Sequence, residues 1–302
     1  MRRGGRWPMV PGDEDGRATA MDEAPAADDE EAGDERRQLL AGFGRGFGGA
    51  LIFSLPMLMT MEMWWLGFSI DRARLVLLLL LNVPLLTFLS HYSGFEQTFE
   101  WWEDLRDAMI AYAIGILTGC VVLGVFGVLA PGMPLEELVG KVAIQAIPAS
   151  IGALLGRSQL GGGSKPAHSA TEATYRSELF LMAGGAVFLG LNVAPTEEMI
   201  LISYQMNPWQ GIGLMALSMA IMHGFVYAVS FKGGSERGPD TPWWSVFLRF
   251  TVVGYALAGL ISAYLLWTFG RMDGLGPGQV VMAMAVLGFP ASVGAAAARL
   301  IL

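Results

Sequence analysis

The sequence has one cysteine, Cys120, and three histidines, His91, His168 and His223. A single thiol excludes a disulfide framework within the chain and a cysteine-based metal site. No CxxC, HExxH or Walker-type loop occurs, and no Ser/His pair, metal cluster or Asp dyad stands at catalytic spacing, so neither an enzyme nor a cofactor is expected. Charge is also scarce: 15% of the 302 residues are Asp, Glu, Lys or Arg, too few to cover a soluble domain of this length. The net charge of −8 is carried largely by one N-terminal stretch and says little about the rest; no nucleic-acid partner is expected. No apolar segment precedes a small-residue cleavage site near the N-terminus, so no secretory signal is expected, and Met9 and Met21 are alternative starts.

Apolar residues are what the chain has in excess. They make up 53% of it, and the mean hydropathy is +0.48. The expected fold is an all-α polytopic membrane protein whose main partner is the lipid bilayer. Residues 1–40, rich in Asp, Glu, Ala, Gly and Arg, cannot bury enough surface to offset ordering and are read as a disordered acidic tail. Eight apolar runs follow, each near the roughly 20 residues that cross about 30 Å of hydrocarbon: 46–68, 75–93, 108–129, 139–156, 180–203, 211–231, 247–269 and 280–301. The fourth is the weakest, because it is short and carries Lys141 and Gln145. A Gly/Ser-rich linker over 158–178 separates a first unit, 41–157, from a second, 179–302.

The two units read as copies. GGALIFSLPMLMTMEM (48–63) aligns without a gap on GGAVFLGLNVAPTEEM (184–199), at an offset of 136 (198 − 62). Further along, Trp101-Trp102 matches Trp243-Trp244, Arg106 with Tyr112 matches Arg249 with Tyr255, and Pro148-Ala149-Ser150 matches Pro290-Ala291-Ser292. The offset grows to about 142, attributed to a longer polar loop starting at Lys232. Four spans per copy return the chain to its starting face, so the repeats are parallel, related by an axis along the membrane normal. One face would hold Arg36, Arg37, Arg45, Arg106, Arg157, Lys165, Arg176, Lys232, Arg237, Arg249 and Arg299, the other only Arg72, Arg74, Lys141 and Arg271. The positive-inside rule then places both termini in the cytoplasm of a bacterial inner membrane.

Each copy carries one matched carboxylate, Glu62 or Glu198, two residues after a threonine, Thr60 or Thr196. Counting inward from the loops near Asp71 and Asn207 at 1.5 Å per residue puts both about 13 Å below the outer boundary, where a carboxylate is costly. Two readings stand. The glutamates face each other across the pseudo-axis and bind a small cation or carry a proton, with Thr60, Thr196 and Asn192 as further oxygen ligands; or they are hydrogen-bonded packing groups. Pro56 and Pro195 remove helix hydrogen bonds just before them. His223 is a candidate proton relay, and Arg106, Arg249, Tyr112 and Tyr255 are candidate gate residues, each with packing or lipid contact as the plainer role. Glu197 has no acidic counterpart and is placed at the outer vestibule.

TMEMWWLGFSIDRARL and LNVAPTEEMILIS, as they stand here, resemble a bacterial family of integral membrane proteins with no assigned function; the resemblance covers roughly residues 40–302 and implies a multi-span inner-membrane protein without a catalytic residue. LNVAPTEE is also similar in style to an Asn-x-x-Pro-Glu signature of sodium/calcium exchangers, whose repeats are inverted where these would be parallel. Two functions are expected in competition: a transporter or channel for a small cation or proton, and a non-transporting scaffold or sensor that recruits a partner through the acidic tail.

Overall fold

The computed structural model describes residues 24–93, 101–160, 175–230 and 243–301, and every regular element within them is a helix. The first part of the tail, most of the linker with Lys165 and His168, and the loop with Lys232 and Arg237 lie outside the described residues. α1 (Ala24–Leu58) begins inside the stretch assigned to a disordered tail. Its opening is rich in Ala, Glu, Arg, Gln and Leu, the strongest helix formers, which supply local helical preference where no core can form. Residues up to Gly44 and residues from Arg45 onward are separate compact units.

Two of the expected spans are broken, each beside the proline noted in it. α2 (Met61–Ser69) leaves at 85° to the Leu40–Leu58 part of α1, and α7 (Glu197–Gln205) leaves at 90° to α6 (Tyr175–Val193). Both short arms have nine residues and start 136 apart (197 − 61), the offset of the matched glutamates. Proline contributes to both breaks by withholding an N–H: Pro56 sits in the last turn of α1, Pro195 in the elbow itself.

The other elements are α3 (Arg72–Ser93), α4 (Trp101–Val125), α5 (Leu135–Leu160), α8 (Pro208–Ser230), the short α9 (Trp243–Val246), a π-helical stretch Phe247–Val252 that runs into α10 (Val253–Thr268), and α11 (Pro277–Ile301). Among the described residues, five helices are long and apolar enough to cross a bilayer, and the two bent pairs raise the number to seven if each is one span. Eight were expected; the remaining one, 211–231, falls on α8, whose end lies outside the residues described in full.

The weakest expected span turns out to be the most enclosed. In α5, 78% of the span is buried, against 39% in α3 and α4, and α2, α3 and α4 all pack on it. α11 takes the corresponding place among α6, α7, α8 and α10. Lys141 and Gln145 are therefore inward-facing groups of a central helix, not signs of a marginal one. Glycine makes the close crossings. Gly49 of α1 lies against Gly152 and Gly156 of α5, and Gly185 of α6 lies against Gly294 of α11, each so near the opposing backbone that a Cβ would strike it.

The π-helical stretch has a sequence cause that the loop-length argument misses. The offset is 142 at Trp101/Trp243 (243 − 101) but 143 at Arg106/Arg249 (249 − 106), so the second unit holds one extra residue between Trp244 and Arg249. A helix absorbs such a residue as a π turn. The turn is tied down on both sides: Tyr175 donates its hydroxyl to the Arg249 carbonyl at 2.9 Å, and buried Thr251 lies 2.9 Å from His223 Nδ1.

Candidate functional site

Breaking a helix leaves carbonyls without their usual donors, and each elbow answers for its own. At the first, the Thr60 hydroxyl donates to the Pro56 carbonyl and the Trp64 indole N–H to Leu58 O at 2.7 Å. Met57 O accepts both the Thr60 amide at 3.2 Å and Gln145 Nε2 at 3.0 Å. At the second, Thr196 closes on Val193 O through its hydroxyl, 2.8 Å, and its amide, 3.0 Å. Asn192 Nδ2 donates to Phe188 O at 2.8 Å, and Arg271 Nη2 donates to Pro195 O. Thr60 and Thr196 are thus the N-cap residues of α2 and α7, but their side chains turn back toward the preceding arm and do not cap the arm they begin.

Glu62 and Glu198 occupy the first turns of these arms, at the end where the backbone N–H groups are unpaired within the helix. Glu62 is half-buried, Glu198 is exposed, and neither has a hydrogen-bond or ion-pair partner among the described residues. The depth expected for them was counted along a straight helix from the outer loops, whereas the arms leave at 85° and 90°. Nor does the packing set the two arms face to face: α2 packs on α5, and α7 packs on α11.

The remaining expected site residues scatter. His223 lies fifteen residues into α8 (223 − 208), about 22 Å along the helix from its elbow-side end, which removes it as a direct relay to Glu198. It contacts Thr251 and the Phe247 ring, 5.2 Å between centroids. Arg106 and Arg249 are exposed. Tyr112 donates to Leu79 O at 3.4 Å, and Tyr255 lies against Gly288.

Other groups were not picked out by spacing. The four basic residues expected on the outer face each have an acid: Arg72 with Glu136 at 3.7 Å, Lys141 with Glu137 at 2.7 Å, Arg74 with Asp273 at 3.0 Å, and Arg271 with Glu197 at 3.9 Å. Arg74 also donates to Trp267 O at 2.8 Å, joining α3 to the end of α10. At the opposite ends of the helices, Arg299 and Glu178 pair at 2.7 Å with both side chains 8% exposed, and Phe250 covers the guanidinium, 4.3 Å from its centroid. Three amides spend their NH2 groups and leave a buried oxygen with no donor among the described residues: Asn82, whose Nδ2 bonds Ser150 Oγ at 3.0 Å, Gln145, and Asn192. No group of three or more His, Cys, Asp or Glu among the described residues could hold a metal ion.

Five apolar helices long enough to span a bilayer among the described residues, beside two bent pairs that pass only together, define an integral membrane protein of the polytopic helical class. The chain belongs to the family described as "Putative integral membrane protein (DUF2391)", which matches residues 42–302. No curated protein and no solved structure matches it.

Proposed function

We propose that this protein conducts or carries a small cation or proton across the bacterial inner membrane, with both termini cytoplasmic and with two parallel four-helix units descended from one duplicated segment. The duplication accounts for elbows at matching positions and for glycine crossings at Gly49/Gly152 and Gly185/Gly294, related by the offsets 136 (185 − 49) and 142 (294 − 152). The reading assigns no catalytic residue. The observation that carries it is the set of buried amide oxygens on Asn82, Gln145 and Asn192. A buried acceptor without a donor is costly, and acceptors alone suit a cation or the water that accompanies one. Broken helices at membrane depth are tolerated where they line such a path.

The double substitution Glu62→Gln, Glu198→Gln tests this in proteoliposomes. Cation or proton flux is expected to fall about tenfold or more, the effect of losing one charge-assisted contact of about 1.5 kcal/mol. Unchanged flux, or no flux from the parent protein over a panel of monovalent ions and a proton gradient, would overturn it.

A non-transporting scaffold or sensor is the second reading, favoured by the packing of α2 on α5 and of α7 on α11. It expects deletion of residues 1–38 to abolish partner capture or localisation while membrane insertion and flux assays stay as in the parent.

A further inference from the structure

The two elbows are alike in backbone and unlike in charge. Arg271 fills the second: its Nη2 donates to Pro195 O, its Nη1 stands 3.9 Å from Glu197 Oε1, and its side chain is only 20% exposed. The same role has no cation in the first unit, where the residue at the offset of 142 is Leu129 (271 − 142). What the first elbow has is Gln145, fully buried, with Nε2 on Met57 O and Oε1 without a donor. That amide cannot be turned around, because Met57 O is an acceptor and needs the NH2 side. In the second unit the matching position is Leu287 (145 + 142). Both elbows therefore hold a buried acceptor without a donor among the described residues, Gln145 Oε1 in the first and Asn192 Oδ1 in the second, but the fixed positive charge of Arg271 stands at the second alone.

We infer that the first elbow binds one monovalent metal cation through Gln145 Oε1 and Glu62, and that the Arg271 guanidinium is the tethered equivalent of that cation in the second elbow. The inference rests on the reading of the protein as a cation-handling one and adds which copy holds the ion, its charge and its number per chain. The donors are oxygens throughout, which suits a hard cation. A calcium-like ion takes six to eight oxygens, usually with several carboxylates, whereas this elbow has a single carboxylate on α2, so one positive charge balances it. Arg271 also carries one. α2 packs along α5, the helix that carries Gln145, so both ligands belong to one pair of packed elements.

Thermal unfolding of the detergent-solubilised full chain in sodium, potassium or lithium chloride, against N-methylglucamine chloride at equal ionic strength, tests the assignment. One of the three metal cations is expected to raise Tm progressively with concentration, as a ligand of the folded state must. Glu62→Gln and Gln145→Leu should each lose the rise, and Glu198→Gln should keep it in full. If Gln145→Leu does not fold, the comparison of the isosteric Glu62→Gln and Glu198→Gln variants decides alone. Loss of the rise in Glu198→Gln to the same degree as in Glu62→Gln would overturn the assignment, as would a parent protein indifferent to all three ions. A parent that supports flux yet shows no rise sinks this inference and spares the proposed function; a rise without flux does the reverse.

Discussion

Glu178→Ala is expected to destabilise the protein by about 3–5 kcal/mol, and Arg299→Ala by a similar amount, the range for removing one partner of a buried ion pair. The two side chains are each 8% exposed and meet at 2.7 Å, so neither charge can turn to water when its partner is lost. Phe250 makes the arginine's position worse in the Glu178 variant, since its ring replaces solvent over the guanidinium and returns only part of the lost attraction. The pair also ties the start of α6 to the end of α11, the helices that cross at Gly185 and Gly294, so a local defect is felt at a principal contact of the second unit. The double variant Glu178→Leu, Arg299→Leu should recover most of the loss, because joint removal abolishes the desolvation cost along with the attraction. Reversible unfolding in SDS is the measurement. Single variants that cost less than about 1 kcal/mol would mean the pair behaves as a solvent-exposed one.

Much of this structure could be read from residue spacing, and what could not has identifiable causes. The offset of 136 between Glu62 and Glu198 carries over to the starts of α2 and α7. Pro56 and Pro195 marked where the two helices could break, but the sharpness of the elbows was not legible, because each is held by hydrogen bonds between residues whose types do not specify them. Thr60 and Thr196 sit equally well in a straight membrane helix, and Trp64 looks like an interfacial anchor until its indole is seen on Leu58 O. Composition misjudged α5 for a related reason: Lys141 and Gln145 lower the hydropathy of a span, yet a helix enclosed by protein can carry polar groups that a lipid-facing one cannot. The π turn was within reach, since the change from 142 to 143 falls between two matched landmarks, Trp244 and Arg249. Glu178 was not, because Gly42 stands in its place in the first unit and a comparison of copies discards unmatched residues.

Gly185→Ala and Gly294→Ala should each destabilise by about 1–3 kcal/mol, the cost of overpacking a site that cannot yield. A Cβ on Gly294 would fall on the carbonyl oxygen of Gly185, and one on Gly185 would meet both the carbonyl oxygen of Gly294 and Ala298 Cβ, the latter at 2.7 Å. The obstacles are backbone or a methyl group, so relief requires moving α6 away from α11 and not a change of rotamer. Gly49→Ala and Gly152→Ala should behave alike in the first unit, where a Cβ on Gly152 would lie 2.7 Å from Gly49 O. Gly259→Ala in α10 and Gly213→Ala in α8 give the opposite sign: nothing lies within 4 Å of the added carbon at either. There the change should stabilise by about 0.5–1 kcal/mol, the ordinary advantage of alanine over glycine inside a helix. The contrast separates crossing from propensity, because the substitution is identical and only the neighbour differs. Equal effects at Gly294 and Gly259 would mean that α6 and α11 do not approach as closely as the structure has them.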